Sequence, residues 1–361
     1  MDLLEFVSTA RGSVIIVLLL CPVTALSIEW FVRPLKIWVK SCPWWPRACG
    51  LIKVSLKNFG YSEQDLLDDN VVLSMYADGW MFGFHHMLCG SLMLSVAYHG
   101  WEAAGAGGQT LFLLGSLADV ALNVCDSVKK ALLYFFPERF QRLGGPIPKA
   151  SFIITVILHH PASMCFFVPM NLSYPDLREF HLLAANLLMA SAVCVCTSQS
   201  KFALDTTCRN GLRLFKGLTV VQLTTILASR GWFWVRLAYK CLATFFGGGD
   251  VMFFVGGLVL AFLMHIFNMM LICDAVSASL KWLPKALPTG IPHSVRTEAL
   301  HPDKNRYVVV PVGSSPAQPL MTRLTAFGLK REGIMVDVTS EKAFTASEEA
   351  NGSGRDHGKL P

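Results

Sequence analysis

"MFGFHHMLCGSLMLSVAY", Met81 to Tyr98, sets two adjacent histidines in a run otherwise made of Met, Phe, Leu, Val, Ala and small residues. The apolar character extends over about residues 72–98, the length a helix needs to cross a hydrocarbon core of ~30 Å. A strand is excluded, because lipid accepts only helices or closed barrels and the run lacks a barrel's alternation. Six more stretches read the same way: about 13–33, 109–128, 151–171, 182–200, 214–232 and 251–275. The expected fold is all-α, a polytopic transmembrane helical bundle of about seven helices. Composition agrees. Of 361 residues 53% are hydrophobic and 16% charged, against roughly 25% charged in soluble domains, and the mean hydropathy is +0.47.

The third and sixth stretches carry the weakest signal. The third holds Asp119 and Asp126; the sixth begins at Lys216 and runs into "SRGWFWVRLAYK", which an interfacial helix would also explain. Basic residues set the orientation. Arg33, Lys36, Lys40, Arg47, Lys53 and Lys57 follow the first span, and "HGWEAAGAGG" after the second has none. Lys129, Lys130, Arg139, Arg142 and Lys149 follow the third, Arg178 the fourth, and Lys201, Arg209 and Arg213 the fifth. This alternation places the N-terminus outside and the C-terminal tail in the cytosol. A loop holding Arg230, Arg236 and Lys240 breaks the pattern. The net charge of +6 is thus a topology signal, and no nucleic-acid partner is implied.

Three regions follow: an anchor helix with a basic, aromatic segment over 1–70, a helical membrane domain over 71–280, and a largely disordered tail over 281–361. Within the tail only "RYVVVPVG" suggests a strand, and "SEEANGSGRDHGKLP" has the composition of disorder. The first span also admits reading as a cleaved signal, since "VTALS" supplies small residues; its acidic flank, Asp2 and Glu5, favours a retained anchor. Most of the eleven cysteines fall inside spans as small hydrophobes, and "CPWWPRAC" has neither the thiols nor the histidines of a zinc site. Trp44 and Trp45 read as an interfacial anchor.

A second pair, His159 and His160, sits in "TVILHHPASM". Polar groups in hydrocarbon are costly, so intramembrane His and Asp point to function, although a neutral His that bonds a neighbouring helix does no chemistry. Counting from the cytosolic side, His85 and His86 lie ~18 Å along their helix and His159 and His160 ~13 Å along theirs. Asp119 falls near the middle of its span, with Asp126 deeper toward the cytosol. His85, His86, Asp119, Asp126, His159 and His160 therefore share one layer. The expectation is that one member of each pair faces a single cavity with Asp119. A di-iron hydroxylase would need about eight histidines in boxes this chain lacks, and a retinal protein a lysine in the last span. A bis-histidine haem between two helices is a minor alternative.

The order of these residues resembles the TLC (TRAM–LAG1–CLN8) superfamily, which includes the ceramide synthases. "HHMLCGSLMLSVAY" (85–98) is similar to the family's His-His helix. "LADVALNVCDSVKK" (117–130) is similar to its acidic helix, with Leu117, Asp119, Asp126 and Lys129 at the matching places. Ala118 and Leu122 depart from the histidine and second aspartate of ceramide synthases, and "LHHPASMCFFVPMN" (158–171) fits the His-His position as well. The resemblance implies a lipid-handling protein of the endoplasmic reticulum or another endomembrane, with membrane lipids as partners. It implies acyl-CoA as co-substrate and no bound cofactor, one His as general base on an amine, and Asp119 orienting that ring. The rival classes are a non-enzymatic membrane organiser and a proton-coupled transporter.

Overall fold

In the computed structural model, residues 2–140 and 143–288 are described. The expected tail disorder and its strand lie almost wholly outside them. Among the described residues every regular element is helical. A short α1 (Leu3–Val7) leads into α2 (Ala10–Ser41), then α3 (Trp45–Asn58), α4 (Asp69–His99) and α5 (Gly105–Phe135). Next comes a broken rod: α6 (Lys149–Phe152), a π-turn over Ile153–His159, α7 (His160–Met164) and α8 (Phe167–Ser173). The last rods are α9 (Arg178–Ala203), α10 (Arg209–Ile226) continued by a π-turn over Leu227–Phe233 into α11 (Trp234–Gly247), and α12 (Val251–Trp282).

Among the described residues seven long rods thus stand where seven spans are expected, and six of them are long and apolar enough to cross a membrane. The exception is α4, the helix with the first His-His pair. One side of α4 packs on α2, α5 and α9, while Phe84, Leu88 and Leu94 on the other side are exposed and apolar; the adjacent His85 and His86 lower the mean hydropathy of the run. Gly83 and Gly90, seven residues apart, lie against Cys196 and Met189 of α9, and Gly115 of α5 lies against the Cys89 carbonyl. A Cβ on Gly115 would fall 2.8 Å from that oxygen. Missing side chains let backbones approach, the usual source of packing contact where lipid supplies no hydrophobic drive. The outer rods carry the lipid-compatible surface: Leu18, Val23 and Trp30 on α2, and Val255, Val259 and Phe262 on α12, are exposed.

The sixth expected span is corrected. Helix continues from Arg209 to Gly247, so Arg230, Arg236 and Lys240 lie on a rod and not in a loop. The connection to α12 shrinks to Gly248–Asp250, which has no Lys or Arg, and the break in the charge alternation disappears. Contacts sort the loops into two groups. At one end Arg47 pairs with Asp205 (3.0 Å), Gly60 lies against Pro148, and Lys216 donates to the Leu283 carbonyl (2.7 Å). At the other, Trp101 stacks on His181 (5.7 Å between rings) and Tyr174 donates to Asp250 (3.1 Å). The basic segments gather at the first end.

One local reading also changes. Trp45 is no surface anchor: it is buried in a cluster with Val39, Ala48 and Tyr76, where α3 lies along the start of α4. Asn171, which begins an N-L-S sequon, is buried and donates to Ser116 (2.7 Å).

Candidate functional site

The geometry begins with α4 and α5. His86 is buried on the face of α4 turned to α5, and its Nδ1 lies 3.1 Å from Oδ1 of Asp119, itself 1% exposed. A carboxylate only accepts, so Nδ1 carries a proton, and in the neutral ring the lone pair falls on Nε2, which has no hydrogen-bond partner among the described residues. The other oxygen of Asp119 accepts from Ser163 of α7 (2.6 Å) and from Asn123 (2.9 Å), one turn along α5. Asn123 also donates to Ser163 (3.0 Å). Asp119 is therefore held by three donors from three helices. His85, the other member of the His85–His86 pair, faces another way, donating from Nε2 to the Ala118 carbonyl (3.2 Å) and bracing α4 on α5.

The second pair divides likewise. His160 turns to Asp126, with Nε2 3.3 Å from Oδ2, and its Nδ1 meets Ser127 Oγ at 2.6 Å. Lys130 also pairs with Asp126 one turn on, closing a cluster toward the basic end. His159 stacks on Phe267 of α12 (4.6 Å between rings), and its Nδ1 is buried without a partner. The break between the two rings has a chemical cause. Pro161 has no N–H to continue the ladder, and the π-turn ending at His159 adds a residue to the preceding turn, so the rings leave the helix in different directions.

His86, Asp119 and His159 line one cavity, with Asn123 and Ser163 beside them. The expected sharing of a cavity thus involves one member of each pair, whereas Asp126 and His160 form a separate cluster. The cavity encloses ≈ 820 Å³ of atom-free space including its mouth. Its walls are helical stripes: Phe180, Leu183, Leu187 and Ser191 of α9, Arg230, Trp234, Leu242 and Phe245 of the α10–α11 rod, and Gly257, Leu260 and Met264 of α12. The spacings of three, four or a multiple turn each set to one face. The enclosure is apolar except at the His86–Asp119 end and around Ser191 and Arg230.

Ser163 does not form a nucleophilic triad with His86, because its hydroxyl proton goes to Asp119 and not to the imidazole. Among the described residues no group of three His, Cys, Asp or Glu side chains is placed to hold a metal ion. Sequence reasoning missed Asn123, Ser163 and Arg230. Asn123 had a signal, its i+4 spacing from Asp119. Arg230 had a stronger one, a lone guanidinium inside "LASRGWFW". No protein-family model, curated protein or solved structure matches the chain.

Proposed function

We propose that this chain is a lipid-handling membrane enzyme of the acyl-transfer class, working in an endomembrane such as the endoplasmic reticulum on acyl-CoA and a lipid acceptor. The observation that supports it is the His86–Asp119 pair, with Nε2 unpaired, at the polar end of an apolar cavity. In the reaction, Nε2 of His86 accepts the proton of an acceptor amine or hydroxyl as that group attacks the thioester carbonyl. Collapse of the tetrahedral adduct breaks the carbon–sulfur bond, and the CoA thiolate takes the proton back from His86. Products are the acylated acceptor and CoA thiol. Asp119 fixes the tautomer and stabilises the imidazolium formed between the two steps. The similarity to the TLC superfamily points the same way, with His86 and Asp119 in the matching places.

A second reading rests on the second cluster. Asp126 lies two turns along α5 from Asp119 and meets His160 of α7, so two carboxylate–imidazole pairs stand in series toward the basic end. Such a row suits proton-coupled transport. Purified protein in liposomes, given labelled acyl-CoA and a long-chain amine, separates the readings. Acyl transfer lost in both His86→Ala and His86→Gln is the expected result. Absence of any acylated product, together with proton flux abolished by His160→Gln, would overturn the enzymatic reading.

A further inference from the structure

Arg230 is 4% exposed in the middle of a 39-residue rod, yet no carboxylate lies within ion-pairing reach among the described residues. Its bonds go to neutral acceptors: Asn268 Oδ1 (3.3 Å), the Leu187 carbonyl (3.3 Å) and Ser191 Oγ (2.5 Å). A guanidinium has five N–H groups, so two remain. The neighbouring polar groups are also donors in want of acceptors. Asn268, 1% exposed, has an amide nitrogen with no partner, and the hydroxyl hydrogen of Ser191 has no acceptor among the described residues. A buried cation bonded only to neutral groups favours an anionic partner, since leaving its charge unbalanced in low dielectric is costly.

The cavity defines the rest of the ligand. Ser191 and Arg230 sit at corresponding ends of their stripes, on antiparallel helices, and Phe180 and Phe245, both fully buried, line the opposite ends. At 1.5 Å per residue the α9 stripe measures ~16 Å and the Arg230–Phe245 stripe ~22 Å. A hydrocarbon core of ~30 Å is two acyl chains deep, so this length matches one long chain laid end to end. One guanidinium balances one negative charge, and a dianionic phosphate would leave a second charge unpaired among Leu and Phe. The geometry points to a single-chain long-alkyl carboxylate as a ligand of this cavity, its headgroup on Arg230 and Ser191 and its chain running toward Phe180 and Phe245. This rests on the acyl-transfer reading and deepens it by naming a free fatty acid as an inhibitory ligand that occupies the same cavity as the acyl chain.

The test is scintillation-proximity binding of tritiated palmitate to the purified full-length protein, with unlabelled palmitate, methyl palmitate and hexadecyl phosphate as competitors. Palmitate should displace label at least about tenfold better than its ester, as a charge-assisted pair requires, and better than the phosphate. Arg230→Met and Arg230→Gln should erase the acid-over-ester preference, and Arg230→Lys should keep part of it. Equal competition by acid and ester on the wild type overturns the proposal whether or not the Arg230 variants fold. An intact preference in folded Arg230→Met also overturns it, and tighter competition by hexadecyl phosphate overturns the carboxylate assignment. His86→Gln should lose acyl transfer while keeping palmitate binding. A wild type that binds palmitate but transfers no acyl group would refute the enzymatic reading and leave this one standing.

Discussion

Asp119→Ala removes the acceptor of three donors at once: His86 Nδ1–H at 3.1 Å, the Ser163 hydroxyl at 2.6 Å and the Asn123 amide at 2.9 Å. Each buried donor left unpaired costs about 1–3 kcal/mol, which bounds the loss at roughly 3–9 kcal/mol. Asn123 retains the Asp119 backbone carbonyl and Ser163 as partners, and the adjoining cavity admits water to at least one of the others. One donor then stays unpaired, so the expected loss is about 1–3 kcal/mol, below that bound. At about 2–4 °C per kcal/mol, this lowers the detergent melting temperature by roughly 2–12 °C. Asp119→Asn keeps the shape and one acceptor oxygen, so its loss should be about half as large. Both variants free the imidazole tautomer, and acyl transfer should fall by about 10²–10⁴-fold in each. Differential scanning fluorimetry and turnover on the same preparations give the two numbers. An Asp119→Ala protein that melts within ~2 °C of the wild type would show that the carboxylate does not hold these three helices together.

Ser163→Ala deletes one donor to Asp119 and no reacting group, so turnover should drop less than about tenfold; a loss of 10³-fold or more would make Ser163 the nucleophile. Gly115→Val drives a Cβ into the Cys89 carbonyl, and forcing α4 from α5 should cost about 1–3 kcal/mol or block folding, read as loss of a monodisperse peak on gel filtration. Gly50→Val, where nothing lies within 4 Å, is the control expected to leave that peak unchanged. A glycosylation tag inserted at Gly249 should be modified and one at the C-terminus should not; the reverse pattern would invert the orientation read from the basic residues.

The bilayer makes helix existence legible from local sequence: each rod satisfies its own backbone and advertises itself as an apolar run, so seven stretches lead to seven rods without knowledge of their neighbours. The polar residues inside those runs are equally visible, because few reasons justify a histidine or aspartate in hydrocarbon. What the sequence leaves open is which polar group meets which. His86 is hydrogen-bonded to Asp119 and His160 lies against Asp126, at separations of thirty-odd residues set by the stagger of packed helices. The same freedom hid the role of Arg230, which reads along the chain as a stray loop charge. It becomes a cavity wall only because helix persists through Gly247 and a π-turn carries it onto the face shared with Trp234 and Phe245. Membrane insertion constrains each segment alone, whereas rotation and stagger are decided by side chains from different segments filling one another's space, and no single stretch contains that information.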